Sequence, residues 1–184
     1  MGRVVKTMTP AGNIHIRLIH EAGQVREVFI QSTRPHRLTQ VFINKTPEQL
    51  LTLLPLLFTL CANAQAYSAL HVCRIGLDLP PEPEADKARD ALVALETVRE
   101  HLWRILVDWP MLLGYKSDKT ELARFLALER QAKACLFNDA DAFKLSSRFL
   151  GFTKTWQNLM ADLTALLDKV LFAGDLAHFV NLTQ

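Results

Sequence analysis

The first forty residues alternate between apolar and polar positions. Ile14, Ile16 and Leu18 are separated by polar neighbours, which is the period of a half-buried strand. Residues 21–24, which include Gly23, supply a turn, and the run 25–30 is rich in β-branched residues. We therefore predict a β-hairpin over about 12–32. Because an isolated hairpin is only marginally stable, we expect its apolar face to pack on the helices that follow.

The pattern changes to a helical one over about 38–72. Thr46, Pro47 and Gln49 form a start signal, since Thr46 can cap a helix and Gln49 can reach back to it. Pro55 should bend or break that helix, because it lacks a backbone N–H. The long uncharged run that follows position 48 has the length of a membrane span, but proline and polar residues interrupt it. We predict a buried helix pair rather than a transmembrane helix.

A proline-rich connector at 80–83 precedes a predicted helical bundle over 85–182. Its first helix is long and amphipathic and ends at Asp108-Trp109-Pro110. Further helices are predicted at about 119–137, 140–150 and 154–172, with a short segment after Gly174. The last of these three helices carries the clearest apolar stripe, which comprises Trp156, Leu159, Met160, Leu163, Leu166, Leu167 and Val170. The polar face of the long helix comprises Glu96, Arg99, Glu100 and Arg104. The prediction is one domain, 1–184, of class α+β and predominantly α-helical, with the hairpin packed on the bundle.

Composition narrows the class of protein. Hydrophobic residues make up 49% of the chain and the formal net charge is +2, which indicates a folded domain without the basic surface of a nucleic-acid binder. The N-terminus lacks the apolar core of a signal peptide. Three scattered cysteines are too few for a disulfide framework. We therefore expect a cytoplasmic protein that binds neither nucleic acid nor membrane.

Common catalytic signatures are missing from the sequence. It contains no glycine-rich nucleotide loop, no GxSxG elbow and no HExxH helix. Residues 138–141 look like the start of a calcium loop, but the required glycine and glutamate do not follow. The six histidines are dispersed, and no predicted helix carries two of them four residues apart.

Cys61 lies in the most informative stretch of the chain. On a helix Cys61 and Gln65 would share a face, with Ser68 one turn further along. The surrounding alanines would permit close approach of a ligand or of another backbone. From the residues alone, a buried cysteine in a tight helix crossing is the favoured interpretation. The sequence around Cys73 and Cys135 gives less indication of a function than the sequence around Cys61 does.

A series of short motifs resembles the N-terminal part of the nickel-iron hydrogenase large subunit. The series runs from the hairpin through Ser32-Thr33-Arg34-Pro35 and Lys45-Thr46-Pro47-Glu48 to Cys61, Gln65, Ala66 and Ala69. In that subunit an Arg-x-Cys-Gly-x-Cys-xxx-His pattern binds the bimetallic centre. Aligned on its second cysteine, this chain has Leu56, Phe58 and Gln65 at the other three positions, so only Cys61 is kept. The second metal-binding cysteine pair has no counterpart.

A hydrogenase-like framework without most of its ligands resembles the HupK/HoxV type of hydrogenase accessory protein. The residues that carry this resemblance are the stretch 53–67 around Cys61 and the stretch 95–110 in the long helix. The resemblance implies a large-subunit-like fold and a non-enzymatic role in assembling the active-site cofactor. No resident cofactor is assigned.

The same resemblance implies how Cys61 would act. Its thiolate would hold an iron fragment with cyanide and carbon monoxide ligands transiently, and Gln65 would donate a hydrogen bond in place of the histidine. The expected partners are maturation chaperones and the hydrogenase large subunit. Two alternatives stay open: a large-subunit mimic that docks chaperones without carrying metal, and a thiol-dependent enzyme that uses Cys61 as nucleophile.

Overall fold

A computed structural model describes residues 12–33, 38–117 and 119–182. Arg34 and Pro35 of the series above lie outside the described residues. The chain divides into two compact units, Met1–Lys45 and Thr46–Gln184. The expected predominance of helix and the N-terminal hairpin are both confirmed. The assignment of 1–184 to a single domain stays a prediction.

The first unit contains the hairpin. Strands β1 (Ile14–Glu21) and β2 (Gln24–Ser32) pair antiparallel, with Ile16 opposite Ile30. Ala22 and Gly23 both have positive φ in the two-residue turn, which matches the twist of the strands. Every residue of both strands is exposed. The packing of an apolar hairpin face on the helices stays a prediction. A short 3₁₀ helix, Leu38–Phe42, follows.

The second unit begins with two helices joined by a sharp bend. Helix α1 (Pro47–Leu57) starts with the predicted capping box, in which Thr46 accepts from the Gln49 N–H and Gln49 Oε1 accepts from the Thr46 N–H. Pro55 lies in its last turn, and a 3₁₀ turn at Thr59–Cys61 leads into α2 (Ala62–Gly76). The helical segments on either side of the break are bent by 106°.

Burial in α1 and α2 is only partial, which corrects the prediction of a buried helix pair. Leu51 and Leu54 are buried in α1, whereas Leu56 is 70% exposed and Leu60 in the turn is 66% exposed.

Within the described ranges, no single helix is long and apolar enough to cross a membrane, and the bent pair reaches that length only when its two helices are taken together.

The long amphipathic helix does not end where the sequence predicted. Helix α3 (Pro83–Trp103) continues through a π-helical turn, Arg104–Asp108, into α4 (Trp109–Leu112). In the π turn the Trp109 N–H donates to the Arg104 carbonyl, five residues back. This wider turn accommodates Pro110, which has no N–H and whose ring would crowd a regular helix. The Asp108-Trp109-Pro110 sequence therefore widens the helix instead of ending it.

The predicted helix at 140–150 is wrong. Helix α5 (Thr120–Leu136) ends as expected, but a single 3₁₀ turn at Asn138–Ala140 and an irregular loop follow it. Phe137 and Phe149 form an isolated antiparallel bridge, and Asn138 exchanges hydrogen bonds with the Arg148 backbone. Asp139 has φ 54°, which breaks any helix. One backbone bond and one side-chain bond across the loop therefore take the place of helical hydrogen bonds.

Helix α6 (Lys154–Leu167) runs into a second π turn, Asp168–Phe172, and α7 (Leu176–Leu182) follows. Helices α3, α5 and α6 pack around the core. The apolar stripe predicted for α6 is confirmed, since its leucines at 159, 163 and 166 are buried.

A buried cation ties α3 to the irregular loop. Arg89 has no exposed surface; its Nε donates to the Ala142 carbonyl at 2.8 Å. Its Nη1 lies 2.8 Å from Asp86 and 3.0 Å from Glu82. Glu82 also pairs with Arg74 of α2 at 3.0 Å, and Arg74 donates to the Pro80 carbonyl. The proline-rich connector is therefore held at two points by buried guanidinium groups.

Candidate functional site

Cys61 lies at the bend between α1 and α2. It is the last residue of the 3₁₀ turn and the N-cap of α2, with φ −123° and ψ 42°. The sequence placed Cys61 within a helix; the structure places it one residue before the first helical position. Gln65 follows in the first turns of α2, and both residues are partly buried.

Glu96 caps α2 from a neighbouring helix. Its Oε1 accepts from the Asn63 N–H at 2.8 Å, and its Oε2 accepts from the Ala64 N–H at 3.1 Å. These N–H groups belong to the first turn of α2, where no intrahelical acceptor exists. Asn63 adds a bond from Nδ2 to the Leu92 carbonyl at 3.3 Å. A carboxylate at a helix N-terminus also interacts favourably with the helix dipole.

The prediction that Glu96 and Arg99 lie on a polar face pointing away from the core is wrong. Glu96 is 4% exposed, and Arg99 connects it to other elements. Arg99 Nη2 lies 3.6 Å from Glu96 and 3.5 Å from the Leu60 carbonyl, and Nη1 lies 3.1 Å from Glu129 on α5. Glu100 pairs with Arg99 Nε at 3.3 Å. A helical period alone could not reveal this, because a charged residue near the edge of an apolar stripe is normally solvated.

Burial raises the pKa of the Glu129 carboxyl above its ordinary value of 4.5, although the Arg99 charge and hydrogen bond oppose the rise. The folded protein then binds a proton at Glu129 more readily than the unfolded chain. This contribution to stability is present below pH 4.5 and is lost as pH rises through the folded pKa. We expect the stability of Glu129→Gln, relative to the unaltered protein, to increase from about pH 4 to about pH 7, measured by urea unfolding.

Glu48→Gln is the matched comparison, because the pKa of Glu48 is shifted in the opposite direction to that of Glu129. A backbone hydrogen bond and the Thr46 side chain lower the pKa of Glu48, so its contribution is present above pH 4.5 and lost on acidification. The relative stability of Glu48→Gln should therefore decrease over the same pH interval. A Glu129→Gln difference that decreases with rising pH would contradict the assignment of its pKa.

A cleft of about 230 Å³ opens beside the first turn of α2. Lys133 lies over the Phe143 ring at 5.4 Å, and Lys144 pairs with Asp141 at 2.8 Å. The Asp141 carboxylate raises the pKa of Lys144 through that contact. Neither Cys61 nor Gln65 lines the cleft. The lining residues are Leu51, Thr52, Pro55, Ala62, Asn63, Ala66, Lys133, Asp141, Phe143 and Lys144.

Cys73 and Cys135 are weaker candidates for a metal ligand. Burial raises the pKa of Cys73 and of Cys135, and the Cys135 thiol donates to the Ala132 carbonyl at 3.2 Å. Since the thiolate is the metal ligand, a raised pKa makes a thiol less ready to bind a metal. Among residues 12–33, 38–117 and 119–182, no three His, Cys, Asp or Glu side chains are grouped so that they could hold a metal.

Comparison with known proteins gives relatives of one kind. The hydrogenase expression/formation protein HupV of Azotobacter chroococcum mcd 1 is 35% identical over 114 residues, which are 61% of this chain and 33% of that protein. HupK of Azotobacter vinelandii is 32% identical over 127 residues, 68% of this chain and 36% of its own length. HupK of Rhizobium leguminosarum bv. viciae is 28% identical over 131 residues, 67% of this chain and 35% of that protein.

This chain is similar to the HupK and HupV proteins. The similarity agrees with the accessory-protein resemblance drawn from the motifs around Cys61. The matched residues span about a third of the length of these relatives. No protein-family model and no solved structure matches the chain. Likeness to the fold of a hydrogenase large subunit therefore stays a prediction.

Proposed function

We propose that this chain takes part in hydrogenase formation as a non-enzymatic scaffold in the cytoplasm. In this role Cys61 holds an iron fragment with cyanide and carbon monoxide ligands before it passes to the hydrogenase large subunit. The observation that carries the proposal is the similarity to proteins named for hydrogenase expression and formation, at 32–35% identity in two of them. Maturation chaperones and the large subunit are the proposed partners.

The surroundings of Cys61 support a transient ligand. The thiol lies at a helix start in a bend, and it forms neither a capping hydrogen bond nor a disulfide. One thiolate occupies one coordination position of a soft metal fragment and leaves the others to its own ligands. A closed set of four thiolates would retain the metal instead. Gln65, four residues on, is the proposed hydrogen-bond donor to the fragment.

Infrared spectroscopy tests the proposal directly. The protein is purified without oxygen after co-expression with the hydrogenase maturation machinery, and carbon monoxide and cyanide bound to iron absorb where protein does not. We expect such bands in the unaltered protein and their complete loss in Cys61→Ala. Cys73→Ala is the matched control, because Cys73 is a partly buried thiol of the same helix, and it should keep the bands.

A docking protein that carries no metal is the second candidate, and exposed leucines favour it. Leu53, Leu56, Leu57 and Leu60 lie exposed along α1 and the turn, and an apolar surface of this kind is typical of a protein interface. Chaperones that co-purify equally well with the unaltered protein and with Cys61→Ala, in the absence of any infrared bands, would establish this function and reject the scaffold.

A further inference from the structure

The sulfur of Cys61 takes no part in capping the helix that it precedes. At an N-cap position, Ser, Thr, Asp or Asn normally accepts hydrogen bonds from the N–H groups two and three residues further on. The Cys61 side chain makes no such bond. The N–H groups at those two places, Asn63 and Ala64, are bound by the Glu96 carboxylate of α3 instead.

The same helix also holds the backbone before Cys61. Arg99 Nη2 lies 3.5 Å from the Leu60 carbonyl and 3.6 Å from Glu96 Oε1. Glu96 and Arg99 are three residues apart, so they lie on one face of α3. The buried Glu96 carboxylate and the Arg99 guanidinium therefore contact the backbone on both sides of Cys61.

We propose that Glu96, which caps α2 from α3, and Arg99, which donates to the Leu60 carbonyl, are positioning residues, so that the N-cap can be a cysteine whose thiol stays unengaged. An aspartate or serine at position 61 would cap α2 by itself, but it would offer oxygen in place of sulfur. Capping from another helix removes that constraint on position 61. The positioning role rests on the proposed function in one respect, namely that the free thiol of Cys61 binds the iron fragment.

Thiol labelling of the full chain tests the positioning role. In Glu96→Gln one amide oxygen replaces two carboxylate oxygens, and the NH₂ group faces a backbone N–H. The turn should open more often, and the rate at which a small thiol reagent modifies Cys61 should rise about tenfold, as expected for the loss of a cap. Mass spectrometry resolves the three cysteines, so Cys73 and Cys135 serve as internal references.

Glu100→Gln is the matched control. It removes the same charge from the same helix and also contacts Arg99, but no hydrogen bond joins it to the turn among the described residues. Its Cys61 labelling rate should stay within about twofold of the unaltered protein, a change too small for a lost cap. An unchanged Cys61 labelling rate in Glu96→Gln would overturn the proposal.

A rescue experiment keeps the proposal testable if Glu96→Gln is broadly destabilised. Cys61→Asp supplies a local cap, so it should recover thermal stability in the Glu96→Gln background. In the unaltered protein it should bring no gain, because it places a second carboxylate beside Glu96. An equal effect in both backgrounds would refute capping by Glu96. Neither experiment uses iron, so absent infrared bands alongside these results would reject the scaffold function alone.

Discussion

Replacing Arg89 by methionine should lower the free energy of unfolding by about 3 kcal/mol, because it leaves the Asp86 carboxylate and the Ala142 carbonyl without their buried partner and leaves Glu82 paired with Arg74 alone. Asp86 and Glu82 both contact Nη1, and the Ala142 carbonyl accepts from Nε. Asp86 and Glu82 are 27% and 33% exposed, so water can partly solvate them. This places the loss at the lower end of the range for broken buried pairs. Denaturant unfolding measures it.

Lys87→Met is the control for Arg89→Met. Lys87 pairs with Glu84 on the exposed side of the same helix, and exposed pairs of this kind contribute less than about 1 kcal/mol. Adding Asp86→Asn to Arg89→Met should recover part of the loss, since the orphaned Asp86 charge is then removed. A loss below about 1 kcal/mol for Arg89→Met would contradict a structural role for the buried cation.

Local signals in the sequence predicted the helix starts well. The capping box at Thr46 depends only on two residues that are three positions apart. The hairpin turn likewise depends on the backbone conformation of two adjacent residues, Ala22 and Gly23. The stripe in α6 repeats over four turns, so its buried leucines were also predictable. These features depend on neighbours in sequence.

The wrong predictions concern regions whose structure depends on contacts between residues that are far apart in the sequence. Phe137 and Phe149 pair across twelve positions and displace a helix that local propensity favoured. Glu96 reaches the N–H of Asn63 across thirty-three positions, and no helical period contains that information. For the same reason Cys61 could be identified as a residue of interest, but the side chains that shape its turn could not.

The contact between Arg89 and the aromatic ring of Phe137 shows how the loop after α5 is held. The guanidinium carbon lies 5.4 Å from the ring centroid, and Phe149 packs against the ring at 5.7 Å. Phe137 has no exposed surface. The loop therefore depends on one aromatic side chain that contacts both the core and the buried cation.

Phe137→Ala should accordingly destabilise the protein by about 4 kcal/mol, through the lost apolar burial and the cavity left in its place. Urea unfolding measures this, with Phe152→Ala as control. Phe152 also packs on Phe149, but it is 39% exposed, so its loss should be about half as large. The double variant with Arg89→Met should cost less than the sum of the two, because both changes remove the same contact. Additive losses would show that the loop and the buried cation are held independently.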